Sequence, residues 1–193
     1  MSEYVFAVPT KLVNEKIVSN HNFIEMKFSQ LVELFEYGDF FLRDKIEDDA
    51  SFKQIIPYTV FKNGKDQFLV LKRTENQGEK RLHNLISLGI GGHINKKDKG
   101  YLNEQTFFNG MDREINEELW LAHSAKYVYK GIIRDNSEDV SNVHIGILFE
   151  GFVEYAEIKE VDNFESTWLT KSEIEKLENV KLETWAKITL ENI

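Results

Sequence analysis

Cysteine is the first thing this sequence lacks, since none of its 193 residues is a cysteine. The chain therefore cannot form disulfide bonds, hold zinc through thiolates or attack a substrate with a cysteine nucleophile. A protein without disulfides fits a reducing compartment, so we expect a cytoplasmic location. The chain also lacks a long apolar run, and its start MSEYVFAVPTK has no signal-peptide pattern, so we expect no membrane association.

Positive charge is in deficit as well. The 24 Lys and Arg residues against 33 Asp and Glu residues give a formal net charge of -9. A protein with this charge gains little from a phosphate backbone, so we expect no broad binding of nucleic acid. A small anionic substrate remains compatible with it when a metal ion and a few local cations offset the field.

Several nucleotide-binding and hydrolase signatures are missing too. The glycines of Gly89–Gly92 are not followed by Gly-Lys-Ser/Thr, so they form no P-loop. Ile94 stands where a dinucleotide-binding fingerprint needs its third glycine. No GxSxG motif and no HExxH motif occurs, so neither a nucleophile-elbow hydrolase nor a zinc protease is indicated.

The order of the predicted elements indicates a mixed sheet packed between helices, an α+β arrangement rather than an alternating βαβ fold. Strands are predicted over these ranges: 4–8, a hairpin over 54–72 that turns at Asn63-Gly64, 85–88, 127–134 and 143–153. Helices are predicted over 23–37, from a cap at Asn103 through an apolar stripe that reaches Leu119, over a segment that starts at Thr170 or Ser172, and over 182–190. Residues 155–165 are interpreted as an acidic loop.

The length of the chain fits one globular domain with an extension at its start. Hydrophobic residues make up 41% of the chain and charged residues 30%, which is enough apolar material for a sizeable core. We predict that residues 1–50 form an N-terminal extension packed over one edge of the sheet of residues 51–193. The alternative is a lid or an arm for homodimerisation.

The segment Gly89–Leu121, GIGGHINKKDKGYLNEQTFFNGMDREINEELWL, carries the most informative pattern. Apolar residues at three- and four-residue steps predict one face of a helix: Phe108, Met111, Ile115 and Leu119. Asn103 is the predicted cap of this helix. Glu114 lies three residues before Glu117 and four before Glu118, so the three carboxylates share a neighbouring face.

Carboxylates held within about 6 Å of each other repel unless a cation lies among them. Arg113 lies four residues before Glu117 and can pair with it. A hard divalent cation such as Mg²⁺ also suits the three glutamates, because it prefers oxygen ligands. Glutamate-rich helices commonly just face water, but here a glycine turn precedes the helix and lets the backbone approach a ligand or metal.

The glycine turn Gly91-Gly92-His93, followed by REINEE at residues 113–118, resembles the signature box of the Nudix hydrolases. That box reads G, five residues, E, seven residues, R-E, an apolar residue, any residue, E-E, any residue, G and an apolar residue. The positions that match in place are Arg113, Glu114, Ile115, Glu117, Glu118 and Leu121. Gly92 would open the box.

Three positions depart from the box. Gly92 stands 21 residues before Arg113 (113 minus 92) where the box has 14, so we expect a longer loop around 95–101. The early Glu position falls on Gln105, and Glu104 is one place away. We expect the in-register Gln105 to hydrogen-bond the Arg113 guanidinium, with Glu104 as the alternative. Trp120 replaces the late Gly.

The resemblance implies an α/β/α sandwich that hydrolyses a diphosphate linkage in a nucleoside diphosphate joined to another group. Mg²⁺ or Mn²⁺ would bind these groups: the Glu114, Glu117 and Glu118 carboxylates and the Gly92 carbonyl. Arg113 would orient the glutamates. One glutamate or a later carboxylate would take the proton of the attacking water, and the later candidates are Glu157, Glu160 and Glu165.

The substrate would be a small nucleotide-derived diphosphate, and a polar segment before the box supplies cations for it. Arg73, Arg81 and His93 are the predicted substrate-binding residues, and Arg81 is preferred because a guanidinium suits phosphate oxygens. The alternative function is a non-catalytic ligand-binding or regulatory module of the same fold, which the altered early Glu and Trp120 leave open. An isoprenoid diphosphate isomerase is disfavoured, because that chemistry relies on a cysteine.

Overall fold

The computed structural model of this protein describes residues 2–19, 21–73, 85–135, 140–159, 161–162, 164–178 and 180–193. Within these ranges the strands are β1 (Tyr4–Pro9), β2 (Phe23–Ile24), β3 (Asp39–Leu42), β4 (Phe52–Lys62), β5 (Phe68–Arg73), β6 (Leu85–Ser87), β7 (Gly89–Gly91), β8 (Leu119–Leu121), β9 (Lys126–Ile133), β10 (His144–Phe152), β11 (Ala156–Ile158), β12 (Phe164–Leu169) and β13 (Lys181–Leu182). The α-helices are α1 (Thr10–Lys16), α2 (Phe28–Phe35), α3 (Arg43–Ile46), α4 (Asn103–Glu118), α5 (Lys171–Glu175) and α6 (Thr184–Asn192). None of the described helices combines the length and the apolar character that crossing a membrane requires.

One mixed sheet organises the described part of the chain, and its main strand order is β13-β6-β5-β4-β10-β9-β2. At its centre β4 and β10 run parallel, in register from His144 opposite Gln54 to Phe152 opposite Lys62. A separate two-stranded sheet pairs β8 with β11. Strands far apart in sequence therefore meet at the centre of the fold, which brings the residues before α4 close to the start of β10.

Helices cover both faces of this sheet, so β4 and most of β10 are buried on both sides. One core contains buried residues of α1, α2 and α4, and the other contains buried residues of α5 and α6. The predicted α/β/α arrangement around a mixed sheet is confirmed. Two sets of residues alternate along 143–153 in the sequence, but they do not separate an exposed face from a buried one, because both faces of β10 are buried.

The N-terminal region contributes strands to the same sheet. β1 pairs with β3 and with the start of β4, and β2 pairs with the end of β9. Its helix α2 packs against α4, where the rings of Phe35 and Phe107 stack with centroids 5.2 Å apart. The boundary between residues 1–50 and 51–193 stays a prediction.

The predicted hairpin is confirmed as β4 and β5, but its connection is longer than a two-residue turn. Lys62 pairs with Phe68, and the Asn63 side-chain oxygen accepts hydrogen bonds from the backbone N–H groups of Lys65 and Gln67. Pro57 lies inside β4, not at an irregular start of the strand. It is accommodated because β1 pairs only as far as Gln54 and β7 begins opposite Tyr58, which leaves no ladder partner on that side.

Three predicted segments differ from the structure. Residues 23–37 contain the short strand β2 before α2, because the aromatic segment at Phe23 pairs with β9 at the sheet edge. The predicted acidic loop at 155–165 contains β11 and the start of β12. The helix predicted from Asn103 through the apolar stripe to Leu119 ends at Glu118, because Leu119 is extended and begins β8. Thr170 caps α5, which confirms one of the two predicted starts of this helix.

Candidate active site

The helix α4 is anchored by its apolar face. Met111, Ile115 and Leu119 are each 2% exposed, and Phe108 packs against the same core from its edge. Gly110 allows a close approach, because a Cβ at that position would meet the Ile94 side chain at 3.0 Å. The loop before the helix therefore lies directly on it.

The prediction that Asn103 caps α4 is wrong. Leu102 occupies the cap position, and the Asn103 side-chain amide instead donates to the Phe35 carbonyl oxygen at 2.8 Å. The helix start is held by Thr106, whose hydroxyl oxygen accepts a hydrogen bond from the Gly100 N–H at 2.9 Å. Asn103 therefore contacts the N-terminal region instead of capping α4.

The Arg113 side chain links the other residues of the site through hydrogen bonds. Its guanidinium donates to Glu114 at 2.7 Å, to Glu117 at 3.0 Å and to the His93 carbonyl oxygen at 2.7 Å. It also makes a two-pronged contact with Asp98, at 2.8 Å to Oδ1 and 2.9 Å to Oδ2. Burial opposes the charge of Arg113, but the hydrogen bonds to Asp98 and Glu114 outweigh it and raise the pKa of the guanidinium.

Asp98 takes the place that we predicted for Gln105 or Glu104, so that prediction is wrong. The Gln105 side chain accepts from the Tyr101 N–H at 2.9 Å and does not contact Arg113. Asp98 stands six residues after Gly92, the same interval as from the opening Gly to the early Glu of the box. The inserted residues therefore lie between Asp98 and Arg113, in the segment 99–102 and in the start of α4, so they overlap only the end of the predicted loop around 95–101.

The Asp98 carboxylate is itself fixed. Its side chain is 4% exposed, and Oδ2 accepts a hydrogen bond from the Asn95 N–H at 2.7 Å. The Asp98 carbonyl oxygen accepts from the Asn109 side chain at 2.9 Å, which ties the 3-10 turn Lys96–Asp98 to α4. The turn and the helix thus form one rigid support for Arg113.

Glu114 lies against the glycine turn. A Cβ at Gly92 would come within 2.3 Å of the Glu114 carboxyl carbon, so only glycine leaves room for this side chain. The Glu114 side chain is 15% exposed. Burial raises the pKa of Glu114 despite the hydrogen bond from Arg113, because a desolvated carboxylate resists ionisation.

Glu117 is the exposed member of the group, with 53% of its side chain accessible. It pairs with Lys97 at 3.2 Å as well as with Arg113. Burial opposes ionisation of Glu117, but the hydrogen bonds from Lys97 and Arg113 and the charges of these two residues together outweigh it and lower the pKa of Glu117. Glu118 ends the helix, half-buried, and its carbonyl oxygen accepts from the Lys159 N–H at 2.8 Å.

The strand β11 closes the end of α4. It pairs with β8, which places Glu157 opposite Trp120, and the Lys159 ammonium lies over the Trp120 ring at 4.1 Å from its centroid. Trp120 is therefore the middle residue of a short strand where the family box has a helix-ending glycine. Of the later carboxylates proposed as bases, Glu157 lies beside the helix end, whereas Glu165 on β12 lies near Lys72 at 3.5 Å.

The predicted substrate-binding residues Arg73, Arg81 and His93 stay a prediction, and only His93 has a described side chain. Arg81 and Glu160 lie outside the described residues, as does the Arg73 side chain. The ring of His93 lies against His144, with the two Nε2 atoms 3.2 Å apart. Burial of the ring is the main cause that lowers the pKa of His93 to about 4, and the nearby positive charge of Arg43 is the second. This ring is therefore neutral near pH 7.

The donor set of α4 suits a hard divalent cation. Glu114, Glu117 and Glu118 supply carboxylate oxygens, and the Gly92 backbone lies in contact with Glu114. Arg113 contacts both Glu114 and Glu117, and the three carboxylates do not converge to within 4.8 Å. A bound ion would have to draw these carboxylates around itself, and Mg²⁺ with its retained waters tolerates such a site.

Comparison with known proteins places this geometry in context. No family model matches the chain. The chain is 35% identical over 156 residues to the protein YmaB of Bacillus subtilis strain 168, covering 77% of this chain and 75% of YmaB. Its structure resembles the crystal structure of Tm1382, provisionally classed as a Nudix hydrolase, with a TM-score of 0.86, 34% identity, and 98% of this chain and 97% of Tm1382 covered.

A more distant structure shows the fold alone. The Nudix domain of Shewanella oneidensis NrtR, solved with ADP-ribose, is 14% identical to this chain. It aligns with a TM-score of 0.52 over 72% of this chain and 85% of that domain. The shared fold therefore extends beyond the relatives that share sequence.

Proposed function

Because this chain belongs to the Nudix hydrolase family, we propose that it hydrolyses the diphosphate linkage of a nucleoside diphosphate joined to another group. Water attacks one phosphorus, the bridging P–O bond breaks, and two phosphate monoester dianions and two protons are released. The observation that carries the proposal is the arrangement around Arg113. One guanidinium, held by Asp98, contacts both Glu114 and Glu117 beside the Gly92 backbone.

We infer that Mg²⁺ or Mn²⁺ binds at Glu114, Glu117 and Glu118, with the Gly92 carbonyl as a further ligand. When bound, such an ion lowers the pKa of a water molecule and neutralises charge on the phosphates. Arg113 positions Glu114 and Glu117 and does not need to touch the substrate. Asp98 and the His93 carbonyl oxygen hold Arg113 in turn.

A carboxylate near the end of α4 would take the proton from the attacking water. Glu157 is favoured among the later candidates, because β11 pairs with the strand that directly follows the helix. Cations for the outer phosphate are still proposed on Arg73 and Arg81. The alternative is a non-catalytic module that binds the same class of ligand. The retention of all three helical glutamates, Glu114, Glu117 and Glu118, favours the enzyme.

Turnover of a defined panel tests the proposal. We expect hydrolysis of at least one member among ADP-ribose, nucleoside diphosphate sugars, a dinucleotide and nucleoside triphosphates, measured as release of phosphate monoesters. The reaction should require Mg²⁺ or Mn²⁺ and stop when EDTA is added, because the carboxylates alone cannot neutralise the phosphate charge. Binding of a panel member without any turnover in either metal would instead support the non-catalytic module.

Mg²⁺ is also expected to stabilise the folded protein. The carboxylates gather only in the folded helix, so an ion that binds them shifts the unfolding equilibrium, by about 2.7 kcal/mol at 100 times its Kd. For a chain of this size that gain corresponds to roughly 5–10 °C in the melting temperature. Thermal melts with EDTA and with increasing Mg²⁺ measure it. A midpoint that does not move in wild-type protein would argue against a metal site on α4.

A further inference from the structure

A second group of potential metal ligands lies beside the loop that precedes α4. Glu47, His93 and His144 each offer one ligand atom, and these atoms all lie within 4.8 Å of one another. Glu47 directly follows α3, His93 follows β7, and His144 begins β10. Within the described ranges this is the one group of three such residues that converges so closely. Three distant segments of the chain are therefore brought to one point by the fold.

The spacing of the two imidazoles matches that of metal ligands. Their Nε2 atoms are 3.2 Å apart. Two nitrogens bound to one tetrahedral Zn²⁺ at about 2.0–2.1 Å lie roughly 3.3 Å from each other. His144 is 7% exposed, so its ring is already fixed in place by the protein around it. The distance between the two nitrogens would therefore change little if both bound one ion.

A buried acceptor without a partner stands next to this group. Gln54 is fully buried, and its Nε2 donates to Glu47 Oε2 at 3.4 Å. Its side-chain oxygen has no hydrogen-bond partner among the described residues. Gln54 pairs with His144 in the β4–β10 register, so its amide lies at the same place in the sheet. A water on a metal ion could donate to this oxygen and satisfy it.

The local charge also admits a cation. Arg43 donates to both oxygens of Glu47, at 3.0 and 3.2 Å, and to Glu3 at 2.9 Å. Two carboxylates thus surround one guanidinium, which leaves this set with a net negative charge. Glu47 Oε2 also accepts from Gln54, whereas Oε1 accepts only from Arg43 among the described residues and retains a lone pair that a metal ion can use while the contact with Arg43 is kept.

We propose that Glu47, His93 and His144 form a second metal site, for a divalent transition ion of the Zn²⁺ class, with a water on Gln54 completing the coordination. Imidazole ligands favour such ions, whereas Mg²⁺ prefers the oxygen-only glutamates of α4. The ion would join the N-terminal region to the box loop. It would also fix His93, whose carbonyl oxygen anchors Arg113.

Co²⁺ binding in the presence of saturating Mg²⁺ tests this site. We expect about one Co²⁺ per chain, with the visible absorption of a four-coordinate ion, and displacement of Co²⁺ by Zn²⁺. Glu47→Gln and His144→Ala should each weaken Co²⁺ binding by at least about 10- to 100-fold, the loss that even an outer partner of a metal site causes. Circular dichroism verifies the fold, and Glu47→Gln keeps the shape of the side chain if His144→Ala proves unstable.

Two control variants distinguish Co²⁺ binding at this site from Co²⁺ binding elsewhere on the protein. His123→Ala removes an exposed imidazole that pairs with Glu154, and it should leave Co²⁺ binding unchanged. Glu118→Gln should leave the four-coordinate spectrum intact. The proposal is overturned if Glu118→Gln abolishes the Co²⁺ signal, or if Glu47→Gln binds Co²⁺ like the wild-type protein.

Discussion

Glu118→Gln is expected to lower kcat/KM by about 100-fold or more, which corresponds to roughly 3 kcal/mol of lost transition-state stabilisation. The amide has nearly the shape of the carboxylate but no charge to balance a divalent ion. Glu118 is half-buried at the end of α4 and its backbone is held by the Lys159 N–H, so the variant should fold normally. Steady-state kinetics on the best panel substrate, at saturating Mg²⁺, measure the effect.

A matched control comes from the same helix. Glu104→Gln makes the same change in the first turn of α4, fourteen residues or about 21 Å along the axis from Glu118. This variant should keep kcat/KM within a few-fold of wild type. The stabilisation by Mg²⁺ should be lost in Glu118→Gln and kept in Glu104→Gln. Near wild-type turnover by Glu118→Gln would remove this residue from the proposed metal site.

The sequence predicted those features that depend on local periodicity. The apolar residues of α4 repeat at helical spacing, and the central strands β4 and β10 carry long apolar segments. Both features survive in the structure because the buried faces that they predict are the faces that pack. Helix geometry alone also predicts that Glu114, Glu117 and Glu118, at positions i, i+3 and i+4, lie on one face of α4.

Features set by distant contacts were not predictable from local signals. Asn103 has the chemistry of a cap, but the Phe35 carbonyl oxygen competes for its amide. The strands β2, β8 and β11 are two or three residues long and exist because a partner strand lies beside them. The trio of Glu47, His93 and His144 spans the chain, so no spacing rule could find it.

The sequence did contain a signal for the early acidic residue of the box, but counting back from Arg113 selects the wrong position. Counting back from Arg113 selects Gln105, because it assumes that the helix begins where the family box begins it. Counting forward from Gly92 selects Asp98, because the interval from the opening Gly to the early acidic residue is the same as in the family box. Which end carries the insertion is a property of the fold, here the longer start of α4 that packs on the N-terminal region.

Asp98→Ala is expected to destabilise the protein by about 3–5 kcal/mol, because it leaves the Arg113 guanidinium buried without its two-pronged partner. At roughly 2–4 °C per kcal/mol for a chain of this size, the melting temperature should fall by about 6–20 °C. Turnover should fall as well, since Arg113 would no longer hold Glu114 and Glu117 in place. Asp98→Asn keeps one acceptor oxygen, so its melting temperature and turnover should lie between those of the wild-type protein and those of Asp98→Ala. Thermal melts and kinetics on the same preparations measure both effects.

Gln105→Ala is the decisive comparison, because Gln105 occupies the position that the box alone assigns to the early acidic residue. Its side chain is exposed and makes one hydrogen bond, to the Tyr101 N–H. Removing it should cost only about 0.5–1.5 kcal/mol and leave turnover unchanged. If Gln105→Ala lowered the melting temperature and kcat more than Asp98→Ala did, Arg113 would not depend on the Asp98 carboxylate. The support of the glutamates would then have to come from the His93 carbonyl oxygen and the helix itself.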